Sequence, residues 1–326
     1  MKTAFAGFRH GHIFALYDTI KNCPDFEIVD ACEENDVALK SAVEKGVNFT
    51  FSSYEEMLSK TKAQTIVIGS AYGDRGAMAI KALESGKHVI CDKPLCTSME
   101  ELDEIERLAK EKNLVVSCMF TMRYEEKISA IKECIDGGEL GKVISVYFGG
   151  QHPLQYGRRP SWYFEKDKHG GVINDIAIHG IDLLAYLFNF ELSKIHSART
   201  WNAFAVEEKD FLDSAQFMIE GKDGLGVIAD VSYAIPDGIE FDLPYYWQFY
   251  IWGTNGTISF SMNKTPTFYK KGEKTGKTLS AKKVPDYLQD FLMEVRGEKG
   301  TALTMKEVFN STRQTLKVQE KANERK

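Results

Sequence analysis

Thr3-Ala4-Phe5-Ala6 runs straight into Gly7-Phe8-Arg9-His10-Gly11-His12, and the fold class turns on how that stretch is read. Four small or apolar residues broken by a glycine describe a short buried strand, and Ile13 to Lys21 then carries helical periodicity. In a strand–turn–helix of this kind, the turn's backbone N–H groups and the helix N-terminus can hold a pyrophosphate. The match to G-x-G-x-x-G is incomplete, because Arg9 and His12 stand where glycines are needed and Gly11 lies between them. A plain strand–helix turn fits the same letters, and Arg9 could also neutralise phosphates directly.

Working outward, the alternation continues. Glu27 to Cys32 reads as a strand ending at Glu33-Glu34, and Val37 to Lys45 as a helix stopped by Gly46. Ser53-Tyr54-Glu55-Glu56 and Ser98-Met99-Glu100-Glu101 have capping-box spacing and open further helices. Thr65 to Ile68, His88 to Cys91 and Val115 to Cys118 are apolar strands, with a helix expected from Arg75 to Ser85. Short apolar strands alternating with helices predict a doubly wound parallel sheet covered on both faces. Ligands of such sheets sit beyond the strands' carboxyl ends, so Gly7 to His12, Glu33, Ser70, Ala71, Arg75 and Asp92-Lys93 are the candidate cofactor residues. Glu33 stands where a carboxylate would bind ribose hydroxyls, and a 2′-phosphate would be repelled there, favouring NAD over NADP. Lys93 is fixed between a buried strand and Pro94.

After Arg123-Tyr124 the pattern changes. Lys142–Gly149, Ser193–Trp201, Ser214–Glu220, Leu225–Ala234, Tyr245–Trp252 and Thr257–Met262 read as strands, with turns at 220–224 and 253–256. These predict a large, mostly antiparallel open sheet in an α+β domain. Domain boundaries are placed at 1–121 and 122–326. Gly170-Gly171 opens a helix that would line up Asp175, His179, Asp182 and Tyr186 on one face, with Ile176, Leu183, Leu184 and Leu187 facing the core. A capping aspartate and a satisfied core histidine are the competing reading. Trp162 and Tyr163 suit the wall of a sugar pocket or equally a packed loop. The aromatic run from Tyr245 to Trp252 is consistent with a dimer face or with ordinary core.

Bulk composition narrows the classes. The 326 residues suffice for two cores, and 43% hydrophobic with 27% charged residues is ordinary for a globular chain. A net charge of −6 argues against a nucleic-acid partner. The N-terminus lacks a signal-peptide pattern, and no run reaches the ~18 apolar residues of a membrane span. Six cysteines without a C-x-x-C pair read as buried thiols in a cytoplasmic protein. No H-E-x-x-H or similar spacing is present, and no metal is expected.

The ordered set Ala82-Leu83-Glu84-Ser85-Gly86-Lys87-His88-Val89, Asp92-Lys93-Pro94, Arg123-Tyr124, Gly137-Gly138-Glu139-Leu140-Gly141-Lys142 and Gly170-Gly171 through Asp175, His179 and Asp182 resembles the Gfo/Idh/MocA family, the glucose–fructose oxidoreductase and inositol dehydrogenase group. The resemblance implies an N-terminal Rossmann domain and a C-terminal domain that binds substrate and oligomerises. It implies NAD-dependent hydride transfer at a secondary alcohol of a sugar or polyol. It implies further that Lys93, Asp175 and His179 match the catalytic positions; Arg123, Tyr124, Trp162 and Tyr163 are expected around the substrate. Three departures accompany it: the phosphate turn lacks its middle glycine, Asp92 replaces a glutamate, and Arg75 replaces a histidine. A homodimer or homotetramer through the C-terminal sheet is expected. The other functions considered are a redox-neutral epimerase or glycoside-cleaving enzyme with captive NAD, and a non-catalytic sensor of dinucleotide or sugar.

Overall fold

The computed structural model describes residues 1–239, 241–281 and 283–324. The basic pair Lys282-Lys283, read from sequence as solvated surface, falls partly outside that range, at Lys282. The chain divides into two compact units. The first is Met1–Met119 with Asp167–Gly170 and Leu288–Phe309; the second is Phe120–Lys166, Gly171–Tyr287 and Asn310–Lys326. The sequence boundary at 121/122 thus lies next to the first break, while two later segments return to the first unit.

In the first unit, β1 (Lys2–Ala6), β2 (Glu27–Cys32), β3 (Thr65–Ile68), β4 (His88–Cys91) and β5 (Val116–Cys118) alternate with α1 (His12–Lys21), α2 (Asp36–Glu44), α3 (Tyr54–Lys60), α4 (Tyr72–Glu84) and α5 (Met99–Glu111). The sheet is parallel in the order β2-β1-β3-β4-β5. β3 and the last three residues of β4 are fully buried, as helices on both faces require. Both serines cap their helices: Ser53 Oγ accepts Glu56 N–H at 3.4 Å, and Ser98 Oγ accepts Glu101 N–H at 3.2 Å. α4 begins at Tyr72, earlier than the expected Arg75, which turns Tyr72 inward. The order reverses at β1/β3, so the switch point lies beyond Ala6 and Ile68.

The second unit begins with a 3₁₀ turn, Thr121–Tyr124, and α6 (Glu126–Asp136). Its sheet is built from β6 (Val143–Pro153), β7 (Leu192–Trp201), β8 (Ser214–Gly221), β9 (Gly226–Ile235), β10 (Gln248–Gly253), β11 (Gly256–Ser261), β12 (Lys264–Lys270) and β13 (Lys277–Thr278). The order is β13-β12-β11-β10-β6-β9-β8-β7, antiparallel throughout except for the central β6–β9 pair. The strands β12 and β13 carry no clear period-two pattern and were not expected. α7 (Ile178–Phe188) lies on β6, brought close by Gly180, where a Cβ would fall 2.3 Å from the Phe148 ring. Within β10 the aromatic residues alternate, Phe249 being core and Tyr250 and Trp252 exposed; before the strand, Trp247 is core and Tyr245 exposed. Helices α8 (Tyr287–Val295) and α9 (Met305–Asn323) close the chain. None of the six cysteines is in a disulfide and five are buried; Cys32, Cys91 and Cys118 lie in strands, while Cys23, Cys96 and Cys134 do not. No helix among the described residues is long and apolar enough to cross a membrane.

Candidate active site

On the first unit the turn after β1 is built from Gly7. Its φ is +82°, and a Cβ there would lie 2.8 Å from the Ser70 backbone nitrogen, so only glycine lets the exits of β1 and β3 touch. The turn's N–H groups are largely spent internally. Gly7 donates to Cys32 O at 3.0 Å, Phe8 to Glu33 Oε2 at 2.5 Å, and Arg9 and His10 to Gly69 O. The N–H groups of Gly11 and His12, at the head of α1, have no acceptor among the described residues, and they are the donors a phosphate would meet. Phe8, expected at the cofactor, is instead packed among Phe5, Phe14, Tyr17 and Phe49 and contributes through its backbone.

A cleft of about 490 Å³ opens at this switch point, lined by Gly7, Arg9, Glu33, Glu34, Ser70 and Asp74 among others. Glu33 is buried and accepts from Phe8 N–H and, through Oε1, from Asn35 N–H at 2.8 Å. Its carboxylate is thereby fixed at the lip of the cleft with lone pairs to spare for ribose hydroxyls. Ala71 is fully buried and starts α4. Glycine at a closely packed turn, open N–H groups at a helix head, a cation and an oriented carboxylate together fit a dinucleotide.

Arg75 does not face this cleft. It is fully buried and spends its donors on the bend after β4. Nε donates to Ser70 O at 2.9 Å, and Nη1 to the carbonyls of Asp92 (2.8 Å), Lys93 and Pro94. Nη2 reaches Asp92 Oδ2 at 2.9 Å. The Lys93–Pro94 peptide is cis. Burial alone would raise the Asp92 pKa, but the Arg75 guanidinium and His10 outweigh it and hold the carboxyl well below its ordinary value. His10 Nδ1 meets Asp92 Oδ2 at 2.5 Å. Burial pushes the His10 pKa down to about 3 despite the Asp92 charge, with His12 and Lys93 adding to the lowering. Lys93 is 5% exposed, with Nζ 5.5 Å from the centre of the Tyr72 ring, and His10 and His169 pack on the same ring.

On the second unit, the expected helix is interrupted where chemistry was anticipated. Ile173–Ala177 is a π-helical turn containing Asp175, and α7 with His179 follows. Such turns recur at functional sites, because they widen the spiral and re-aim one side chain. Gln319 Oε1 accepts the N–H groups of Ile173 (3.1 Å) and Asn174 (3.3 Å) and so ties down its start. The four polar residues do not form one working face. Asp175 accepts the Tyr233 hydroxyl, and His179 packs edge-on against Trp247 with ring centres 5.7 Å apart. Asp182 takes the fork of Arg123, at 2.8 Å from Nε and 2.7 Å from Nη2, together with Ser311 Oγ at 2.8 Å. Tyr186 lies under the same guanidinium, 4.9 Å away. Ile176, Leu183, Leu184 and Leu187 are core, as expected.

Arg123 is therefore fully buried in scaffold, and its neighbour Tyr124 rests edge-on against Tyr287. Trp162 and Tyr163 are buried, with ring centres 4.2 Å apart and planes tilted by 35°, and the Arg159 guanidinium lies 4.8 Å above Tyr163 and 5.5 Å from Tyr233. Tyr233, Tyr246 and His152 complete the surroundings of Asp175 and His179. Burial, aided by the Asp175 charge, raises both phenols, Tyr246 to about 12 and Tyr233 well above the ordinary phenol value, so each stays a hydroxyl donor. Sequence reasoning missed these three; it placed His10 and His12 among the cofactor residues without singling out their alternate spacing.

The described fold and site are those of a dinucleotide-dependent oxidoreductase. Residues 2–120 match the model of the oxidoreductase family with an NAD-binding Rossmann fold, and 128–259 match the GFO/IDH/MocA C-terminal domain. The chain belongs to the Gfo/Idh/MocA oxidoreductase family, and its first unit is an NAD-binding Rossmann domain. It is 30% identical over 172 residues to the levoglucosan dehydrogenase of Pseudarthrobacter phenanthrenivorans, covering 51% of this chain and 43% of that protein. It is 28% identical over 214 residues to the glucose-6-phosphate 3-dehydrogenase of Bacillus subtilis, covering 63% and 59%. The matches thus span about half the length of these curated relatives. A solved oxidoreductase from Erwinia carotovora atroseptica shares the fold with a TM-score of 0.86 at 23% identity over 99% of both chains.

Proposed function

We propose that the protein oxidises a secondary alcohol of a sugar or polyol, with NAD preferred over NADP. NAD, when bound, supplies the hydride acceptor. His179 takes the hydroxyl proton through its imidazole, the side-chain type most used for reversible proton transfer. Lys93 stabilises the developing alkoxide. Asp175, tethered by Tyr233, orients a neighbouring hydroxyl. The reading rests chiefly on Asp175 sitting in the π-turn one step before His179, an arrangement that ordinary core packing does not call for. Support for NAD comes from Glu33 and Glu34, which put negative charge where a 2′-phosphate would lie. Support for a sugar comes from the two curated relatives, both named for sugar oxidation. The exposed Tyr245, Tyr250 and Trp252 favour a homodimer or homotetramer through the open sheet face.

The test is reduction of NAD against a panel of free sugars, anhydrosugars and inositols, with NADP in parallel. Growth of NADH absorbance on at least one of them is expected. Silence across the panel, together with dinucleotide retained through purification, would favour the redox-neutral epimerase or glycoside-cleaving reading.

A further inference from the structure

His10, His12 and Asp92 lie together on the first unit, with one donor atom of each within 4.8 Å of the others. Asp92 is fully buried, and its two oxygens are treated differently. Oδ2 is held by Arg75 and by His10 Nδ1. Oδ1 is buried with no hydrogen-bond partner among the described residues and faces His12 Nδ1 at 3.5 Å. A buried carboxylate oxygen left without a donor is costly. The two imidazole rings meet edge to face at 4.3 Å, so both nitrogens can turn toward the same point.

We propose that His10 Nδ1, His12 Nδ1 and Asp92 Oδ1 bind one divalent first-row transition ion, of the zinc or cobalt type. Two imidazoles and a carboxylate suit such ions and disfavour magnesium or calcium, which prefer oxygen shells. Binding replaces the His10–Asp92 hydrogen bond with two bonds to the ion and gives Oδ1 the partner it lacks. Arg75 then serves as the outer partner that fixes the carboxylate through its other oxygen. Three protein donors leave a position open to water or another oxygen ligand. His12 is 52% exposed and provides the entry route. The positive charge of Arg75 opposes the ion, so the affinity should fall below that of a site with an unpaired carboxylate.

The experiment uses the full chain, stripped with a chelator and free of dinucleotide, titrated with Co²⁺ while visible absorption is followed, then back-titrated with Zn²⁺. Saturation at one ion per chain and displacement by Zn²⁺ are expected. His12→Gln should weaken binding by at least the roughly 100-fold that marks the upper range for losing an outer partner. His196→Gln, at a histidine paired with Glu220 on the surface of β7, should change nothing. Because His12 is half exposed, its variant should fold, which circular dichroism checks, and His10→Asn is the second arm. Absence of uptake into the millimolar range, or uptake unchanged in His12→Gln and His10→Asn, overturns the proposal. No activity is read, so either result leaves the dehydrogenase assignment to its own test.

Discussion

Arg75 and Asp92 form one fully buried ion pair, 2.9 Å from Nη2 to Oδ2, and it joins two departures that look unrelated along the chain. The carboxylate is one methylene shorter than the family's glutamate, and the cation is longer than the family's histidine. A long arm meets a short one, and the bend carrying Lys93 is held by the same guanidinium through three carbonyls. Arg75 is thus a positioning residue for Lys93.

That pairing predicts a compensating exchange. Arg75→His and Asp92→Glu should each lower stability by roughly 3–5 kcal/mol, the range for breaking one side of a buried pair. The double variant should recover a substantial part, because the combined reach is restored. Urea midpoints in a double-mutant cycle measure the coupling, and strictly additive losses would refute it.

Lys93→Met and His179→Ala address the chemistry. Lys93→Met should cut kcat by about 10²–10³, and His179→Ala by about 10²–10⁴, with NAD binding and melting temperature little changed. Steady-state kinetics on the substrate found in the panel decides it, and undiminished turnover in either variant would remove that residue from the mechanism.

Arg123 and Asp182 are predicted to matter for folding rather than for substrate. Asp182→Leu alone should cost roughly 3–5 kcal/mol, while Arg123→Met with Asp182→Leu should regain much of that, since removing both charges leaves neither stranded. Chemical denaturation reads the difference. A rise in KM in a well-folded Arg123→Met variant would instead return Arg123 to the substrate.

His88 gives a pH signature. Its Nδ1 accepts the Val115 N–H at 3.0 Å, and burial lowers its pKa. Protonation is therefore disfavoured in the folded chain, so its contribution is fully present above the unfolded pKa of ~6.5 and is lost as pH falls through the folded value. Stability should decline from about pH 6.5 downward, before the carboxylates titrate. His88→Gln should lessen that decline without abolishing it, because His10, its pKa held down to about 3, contributes in the same direction; thermal melts across pH follow the difference.

Much of the architecture was readable because its signals are local. Capping boxes at Ser53 and Ser98, glycine stops at Gly46 and Gly86, and apolar runs such as Thr65–Ile68 each fix an element from neighbours in sequence. The π-turn at Ile173–Ala177 was not readable, because it depends on Gln319 and Tyr233, which lie far along the chain. The fates of Arg123 and Arg75 were hidden for the same reason. Sequence placed them among the binding residues, whereas the fold buries both guanidinium groups, Arg123 against Asp182 and Arg75 against the Asp92 bend. Strands β12 and β13 were missed because lysines and threonines obscure their alternation.

The lone parallel pairing, β6 with β9, also bears on how the second unit assembles. Each neighbouring hairpin can zip from its own tight turn, but Val146 must find Val227 about 80 residues away on one edge and Ile251 about 105 residues away on the other before the two meanders become one sheet. Ring closure over those two spans is a slow search for this unit, so the two edges of β6 are where its folding rate is set.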